Sequence, residues 1–421
     1  MKTINSIKVV GIDYVPVKVE CEITPGIGIH LVGLADVAVK ESLLRTVTAM
    51  QACGYRIPGK KIVINLAPAD LCKRGSHYDL PIALAILGAS GQKQLVDADK
   101  YVIAGQLCLD GSLRDIPGWM QAAELAKSTG RACILPTESA KLAAAALGPE
   151  PKIYGADDLQ EVIDILVDGA PEWTASDECQ TIYSENQPPE PRPVWDEIVG
   201  HESAKRALEI AAAGGHPILM VGDGASSRRL AFALREILPP MTREEALEVQ
   251  RICSVSGRRH NPDLRMFESI DPTMSMATMF GGGSGENVLP GKVSLAHNGV
   301  LFVDDTLLLP SVYQQMMQTV LEDGKVTISR LKNKVDFPAR FFPVFAMRPC
   351  PCGYYGEGDR CTCTPTQRKN YLAKLSGPIY DRLTMQVWVH AEPTTGEVAE
   401  SKRDGETAEA HRRGGELQVF R

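Results

Sequence analysis

Pro217-Ile218-Leu219-Met220-Val221 leads directly into Gly222-Asp223-Gly224-Ala225-Ser226-Ser227-Arg228-Arg229, and residues 230–237 follow with helical spacing of apolar side chains. A short apolar run stopped by glycine reads as a buried strand. Strand, small-residue loop and helix in that order form the setting of a phosphate-binding loop, whose backbone N–H groups and helix N-terminus face an anion. The complete pattern is Gly, four residues, Gly, Lys and then Ser or Thr. Gly222 takes the first place, Ser227 stands for the second Gly, Arg228 for the Lys and Arg229 for the hydroxyl residue. Each exchange changes the chemistry. Arg228 keeps the charge, but as a wide planar fork where Lys is a compact point charge. Arg229 cannot ligate Mg²⁺, and its charge repels the ion. Ser227 brings a side chain to a position where Gly tolerates unusual backbone angles. The competing reading is a plain strand-to-helix turn with exposed arginines.

Farther along, Gly299-Val300-Leu301-Phe302-Val303-Asp304-Asp305 is again apolar and ends in two carboxylates. It fits a buried parallel strand with acids at its C-terminal end, where α/β sheets bind ligands. In such a site Asp304 holds Mg²⁺ through water and Asp305 activates the attacking water. Glu is the longer acid for activating that water, and Asp305 is one methylene shorter. The competing reading is a strand running into a helix, with Asp as its N-cap. Taken together, the loop and the acids predict a site for ATP in which Mg²⁺ is poorly served.

Around these stretches the 421-residue chain divides into two domains and a tail. Residues 1–167 alternate strands (6–10, 15–22, 61–66, 132–135) with helices (37–53, 80–87, 122–128), which is an α/β pattern. Pro188, Pro189, Pro191 and Pro193 among Glu, Ser and Asn mark a linker at 168–194. A second α/β domain spans 195–390. Residues 391–421 are rich in Glu, Lys, Arg, Gly and Thr and read as a disordered charged tail. Hydrophobic residues make up 44% of the chain and charged residues 23%, enough for more than one core. The net charge of -7 excludes a wholesale polycation that coats nucleic acid, though not a local basic patch. No apolar run has the length of a membrane span and no signal-peptide pattern opens the chain, so a cytoplasmic protein is expected.

Of the 11 cysteines, most are scattered, but Cys350, Cys352, Cys361 and Cys363 are packed closely. Two Cys-x-Cys pairs joined by a loop with Gly353, Gly356 and Gly358 can bring four sulfurs around one tetrahedral Zn²⁺, a structural site with no open position. The competing reading is a flexible loop of free thiols, a liability in a reducing compartment.

Several further stretches carry a family resemblance: residues 205–216, Ile237-Leu238-Pro239-Pro240, residues 290–299, Phe337-Pro338-Ala339-Arg340-Phe341 and Cys350-Pro351-Cys352-Gly353-Tyr354. So do Gly33-Leu34-Ala35-Asp36, Asn65-Leu66-Ala67-Pro68-Ala69-Asp70 and Asp79-Leu80-Pro81-Ile82 in the first domain. The chain resembles the magnesium-chelatase subunit I-like AAA+ family, in its ComM/YifB branch, over nearly all of residues 1–390. The resemblance implies a Lon-protease-like α/β domain followed by a P-loop AAA+ domain. It also implies assembly as an ATP-driven ring and a link to DNA through natural transformation and branch migration.

The departures from the family pattern cluster on one chemistry. The family has an intact phosphate loop and an Asn after Ala-Met in the sensor strand, where Arg348 follows Ala346-Met347 here. It has paired His before the glycines 281–283, where residues 267–280 have none. After Asp381-Arg382-Leu383-Thr384-Met385 it continues into a helical lid, where this chain enters its charged tail. Arg382 matches the arginine that reaches a neighbouring subunit's γ-phosphate; its alternative is an ion pair with Asp381. Lon-like folds can host a Ser-Lys dyad, but no Lys stands near Pro117-Gly118-Trp119-Met120 to serve Ser76, and Lys73 or His77 would have to act instead, so proteolysis is not expected. The expected function is a nucleotide-binding protein of DNA processing with impaired ATP hydrolysis, in a homo-oligomeric ring or beside an intact AAA+ relative. The alternative is an active DNA ring motor.

Overall fold

The computed structural model describes residues 1–169, 174–175, 193–261, 264–284, 287–329, 334–356 and 358–390. Most of the expected linker and all of the expected tail lie outside the described residues.

The N-terminal unit is built on a seven-stranded mixed sheet. Its strands are β1 (Lys2–Val10), β2 (Asp13–Thr24), β3 (Ile29–Val32), β4 (Lys61–Ala67), β5 (Tyr101–Ile103), β8 (Ala132–Pro136) and β9 (Ile153–Ala156), in the order β3-β4-β2-β1-β5-β8-β9. A small ladder of β6 (Gln106–Leu107) and β7 (Leu113–Arg114) stands apart. β1, β2 and β4 are antiparallel neighbours, while β5, β8 and β9 run parallel to β1. Alternation along a strand sends side chains to both faces, so Ile4 enters one core and Ile7 the other. The helices expected at 37–53, 80–87 and 122–128 are Val37–Ala52, Asp79–Ser90 and Trp119–Ser128. Asp79–Ser90 is apolar all round and buried from Asp79 through Leu87, as such a helix must be. Its one charge is paired: Asp79 accepts from the Ser42 hydroxyl, from Arg45 Nε at 3.0 Å and Nη2 at 3.2 Å, and from the Leu107 N–H at 3.2 Å.

The second unit has a five-stranded parallel sheet of β10 (Ile218–Gly222), β11 (Phe267–Ile270), β14 (Val300–Val303), β17 (Phe342–Met347) and β18 (Met385–Val389), in the order β11-β14-β17-β10-β18. Two hairpins flank it, β12 (Gly281–Ser284) with β13 (Asn287–Pro290), and β15 (Lys325–Ser329) with β16 (Lys334–Pro338). β14 is buried throughout: Leu301 and Val303 enter the core on one face, Val300 and Phe302 that on the other. That explains its unbroken apolar run, since a parallel sheet covered on both faces has no polar side to show. β10 lies between β17 and β18, although β17 begins 120 residues after β10 ends at Gly222. The carboxyl ends of β10, β14 and β17 therefore come together, where parallel sheets hold their ligands.

Candidate functional site

A cavity of about 410 Å³ opens at those three strand ends, lined by Gly222, Gly224, Ala225, Ser227 and Arg228 from the β10 turn, by Asp304 and Asp305 after β14, and by Ala346, Met347 and Arg348 after β17. The sequence-predicted loop and acids thus face one another across the sheet.

The loop differs from its expected form. The helix expected at 230–237 is Gly224–Leu234, so residues 224–229 are already helical. The reason is Asp223, whose extended backbone and carboxylate form an N-cap, accepting from the Ser226 N–H at 2.7 Å. Ser227 follows by donating its N–H at 3.0 Å and its hydroxyl at 2.6 Å to the Asp223 carbonyl oxygen. A carboxylate of the chain itself therefore sits at the helix N-terminus, the place that attracts a phosphate. Gly222 has a φ of +141°, and a Cβ there would come within 1.9 Å of the Val389 carbonyl oxygen, so β18 dictates a glycine.

The acids are paired with arginines. Asp304 accepts from Arg228 Nη2 at 2.6 Å and from the Asp305 N–H at 2.9 Å. Asp305 accepts from Arg348 Nη2 at 3.0 Å, which holds the Arg348 guanidinium above its ordinary pKa. The N-cap role weighed for the acids is not what forms: Asp305 precedes the turn Thr306–Leu308 with a φ of 42° and no side-chain cap bond. Next to it, buried Thr306 donates to the carbonyl oxygens of Val303 and Ala346 at 3.1 and 3.0 Å, tying β14 to β17 beneath the site. Tyr371 stands close by, its phenol pushed up to about 12 by burial and then by Asp305. Arg229 is exposed on the helix. Arg382 is not among the residues that line the cavity; its Nη2 lies 2.7 Å from Glu322 Oε1, so its ion pair is with Glu322 and not with Asp381. Sequence reasoning missed two of these roles. Asp223 is legible as a helix-capping residue type, but the loop pattern claims the same residue; the partner of Arg348 leaves no sequence signal.

Beyond β17, the Sγ atoms of Cys350, Cys352, Cys361 and Cys363 all lie within 4.8 Å of one another. Cys350 Sγ is 3.2 Å from Cys352 Sγ and 3.8 Å from Cys361 Sγ, and the last two are 3.7 Å apart. Four thiolates on a tetrahedral Zn²⁺ at about 2.3 Å stand about 3.8 Å apart, so this cluster could hold such an ion. The Tyr354 backbone N–H, helped by the Cys350 thiol, brings Cys352 down to about 6, which makes one thiolate ready at neutral pH.

In the N-terminal unit, the groups near Ser76 point elsewhere. The Lys73 ammonium donates to the Pro68 carbonyl oxygen, and buried His77 places Nε2 3.0 Å from the Ile7 carbonyl oxygen. No helix among the described residues is long and apolar enough to cross a membrane.

A parallel sheet with a glycine turn into a helix after β10 and an acid pair after β14 is a P-loop AAA+ module, here preceded by a Lon-protease-like α/β domain. Residues 194–396 match the family described as magnesium chelatase, subunit ChlI, and residues 19–139 match subunit ChlI of Mg-chelatase. The chain is 38% identical to the uncharacterized protein YifB of Salmonella typhimurium over 391 residues, 91% of this chain and 74% of the relative. It is 36% identical to YifB of Escherichia coli over 401 residues, with the same coverage. It is also 36% identical to the competence protein ComM of Haemophilus influenzae over 388 residues, 90% of this chain and 74% of the relative. The chain belongs to the magnesium-chelatase subunit ChlI-like family, among its YifB and ComM relatives.

Proposed function

We propose that this protein is an AAA+ subunit of a DNA-processing assembly that binds a nucleotide without turning it over. The observation that carries the reading is the pairing of Arg228 with Asp304 and of Arg348 with Asp305. Hydrolysis in this fold class needs an acid free to orient water and another free to hold Mg²⁺. Here both acids face a guanidinium, and the amide that would orient the water is replaced by Arg348. Loss of one such positioning group commonly lowers a rate by about a hundredfold or more. The DNA connection rests on the ComM relative, whose name marks it as a competence protein. Assembly with further copies or with an intact relative is supported by half-exposed Arg382, available to a neighbour once its surface pair with Glu322 opens.

An ATPase assay with and without branched DNA tests the reading. We expect no DNA-stimulated phosphate release. Turnover at an ordinary AAA+ rate, abolished by Arg228→Ala, would instead make the chain an active motor. The cysteine cluster belongs to the same proposal as a structural Zn²⁺ site, supported by its sulfur spacing. Elemental analysis of freshly purified, reduced protein is expected to give one zinc per chain, and its absence would remove the metal from the reading.

A further inference from the structure

The family implies a Mg²⁺ ion at the nucleotide, and the residues present do not fit one. A magnesium ion takes near-ideal octahedral oxygen ligands and approaches carboxylates closely. Asp304, the carboxylate that would hold its hydrated shell, already meets Arg228 Nη2 at 2.6 Å, and Asp305 beside it meets Arg348 Nη2 at 3.0 Å. A divalent cation at Asp304 and Asp305 would have to displace both guanidinium groups or sit beside them against their charge. The hydroxyl that ordinarily completes the ligand set is Arg229.

What the cavity offers an entering ligand is the reverse. The Asp304 and Asp305 side chains are 22% and 23% exposed, those of Arg228 and Arg348 49% and 53%. The acids lie beneath and the guanidiniums above, toward solvent. Each guanidinium carries five N–H donors, so an aspartate on Nη2 leaves donors in the planar fork that suits phosphate oxygens. The two forks rise from neighbouring strand ends, one on the helix after β10 and one after β17, and both line the cavity.

We infer that this site takes the polyphosphate of a nucleotide as the metal-free anion, with Arg228 and Arg348 supplying the positive charge that a divalent ion supplies elsewhere in this fold class. The inference rests on the nucleotide-binding reading above and goes beyond it by naming the bound species. Asp304 and Asp305 then act as counter-ions that position the two arginines.

The test is calorimetric titration of the full chain with ATP, once in excess EDTA and once in millimolar MgCl₂. The expected affinity in EDTA equals or exceeds that in MgCl₂, and Arg348→Asn weakens the metal-free binding by about tenfold or more. Electron paramagnetic resonance with Mn²⁺ as the probe is expected to show no protein-bound ion with or without ATP. Tightening by about tenfold or more in MgCl₂, or a protein-bound Mn²⁺ signal with ATP, would overturn the inference. Binding only with Mg²⁺ would sink the inference and leave the nucleotide reading standing; no binding in either buffer would sink both.

Discussion

His77 shows how one side chain changes meaning between sequence and structure. Beside Ser76 it reads as a candidate base. In the fold it is buried, its ring tilted 39° to that of Tyr78 with centroids 4.1 Å apart, and its Nε2 faces the Ile7 carbonyl oxygen, which requires the proton on that nitrogen. Burial brings its pKa from the ordinary 6.5 to about 4. The unfolded chain therefore takes up a proton as pH falls through about 6.5, while the folded chain stays neutral down to about 4. The unfolded state binds more protons across that window, so stability drops as pH falls through it. The size of the loss is about 3 kcal/mol for this one group. Urea unfolding midpoints followed from pH 7 to pH 4 are expected to fall more steeply for the natural protein than for His77→Gln; parallel curves would show that the ring is not held neutral. Gly222 makes the same point without titration. The loop pattern marks it as a phosphate-site glycine, yet the atom that forbids a Cβ belongs to Val389, which lies 167 positions away in the chain.

Among the elements, the buried ones were the most legible. The β14 run of four buried residues and the helix Asp79–Ser90 announce themselves by apolar content alone, because burial on all sides leaves no polar position to blur the pattern. The helix Gly224–Leu234 starts six residues before the expected 230–237 and ends three residues sooner. Glycine, alanine and serine carry no amphipathic signal, so a cap decides where the helix begins, and Asp223 supplies it. This cap predicts two effects of opposite sign. Asp223→Ala removes the bond to the Ser226 N–H and lowers stability by about 1 kcal/mol in urea unfolding. It also removes a negative charge from the helix N-terminus, so ATP affinity measured by calorimetry is expected to rise. A fall in both would mean that the helix frays and takes the site with it. The fold class and the facing of loop and acids were thus readable from strand and loop order, whereas the ion pairs that fill the site were not, because Arg348 meets Asp305 only through the adjacency of β14 and β17.

On the scale of the whole molecule, the two units are joined by an ordered contact as well as by the chain between them. The helix Arg243–Ser256 of the second unit packs on Trp119–Ser128 of the first. Trp119–Ser128 starts at Gly118, a left-handed residue with no side chain to cap the helix. Ser254 does so from across the interface: its hydroxyl oxygen accepts from the Met120 N–H and its carbonyl oxygen from the Gly118 N–H, both at 3.0 Å. Arg251 Nε pairs with Glu124 at 2.7 Å, Gln121 donates to the Arg251 carbonyl oxygen at 3.2 Å, and Arg243 reaches the Leu147 carbonyl oxygen at 3.0 Å. Ser254 and Met120 are fully buried, so the bond between them forms away from water, where an unmade partner is costly. No periodicity within either segment could have disclosed a cap supplied from 134 residues away. Ser254→Ala removes one hydroxyl and leaves the Met120 N–H buried without its acceptor. The expected cost is about 1–2 kcal/mol, by analogy with lost helix caps and unpaired buried donors. The location of the effect matters more than its size. In hydrogen exchange on the full chain, the Met120 amide is expected to lose protection although the substitution lies in the other unit, and amides of the β1–β2 ladder are expected to keep theirs. If Met120 exchange is unchanged, the helix is capped without the Ser254 hydroxyl, and the two units are joined by the remaining bonds to backbone carbonyls, by packing and by charge.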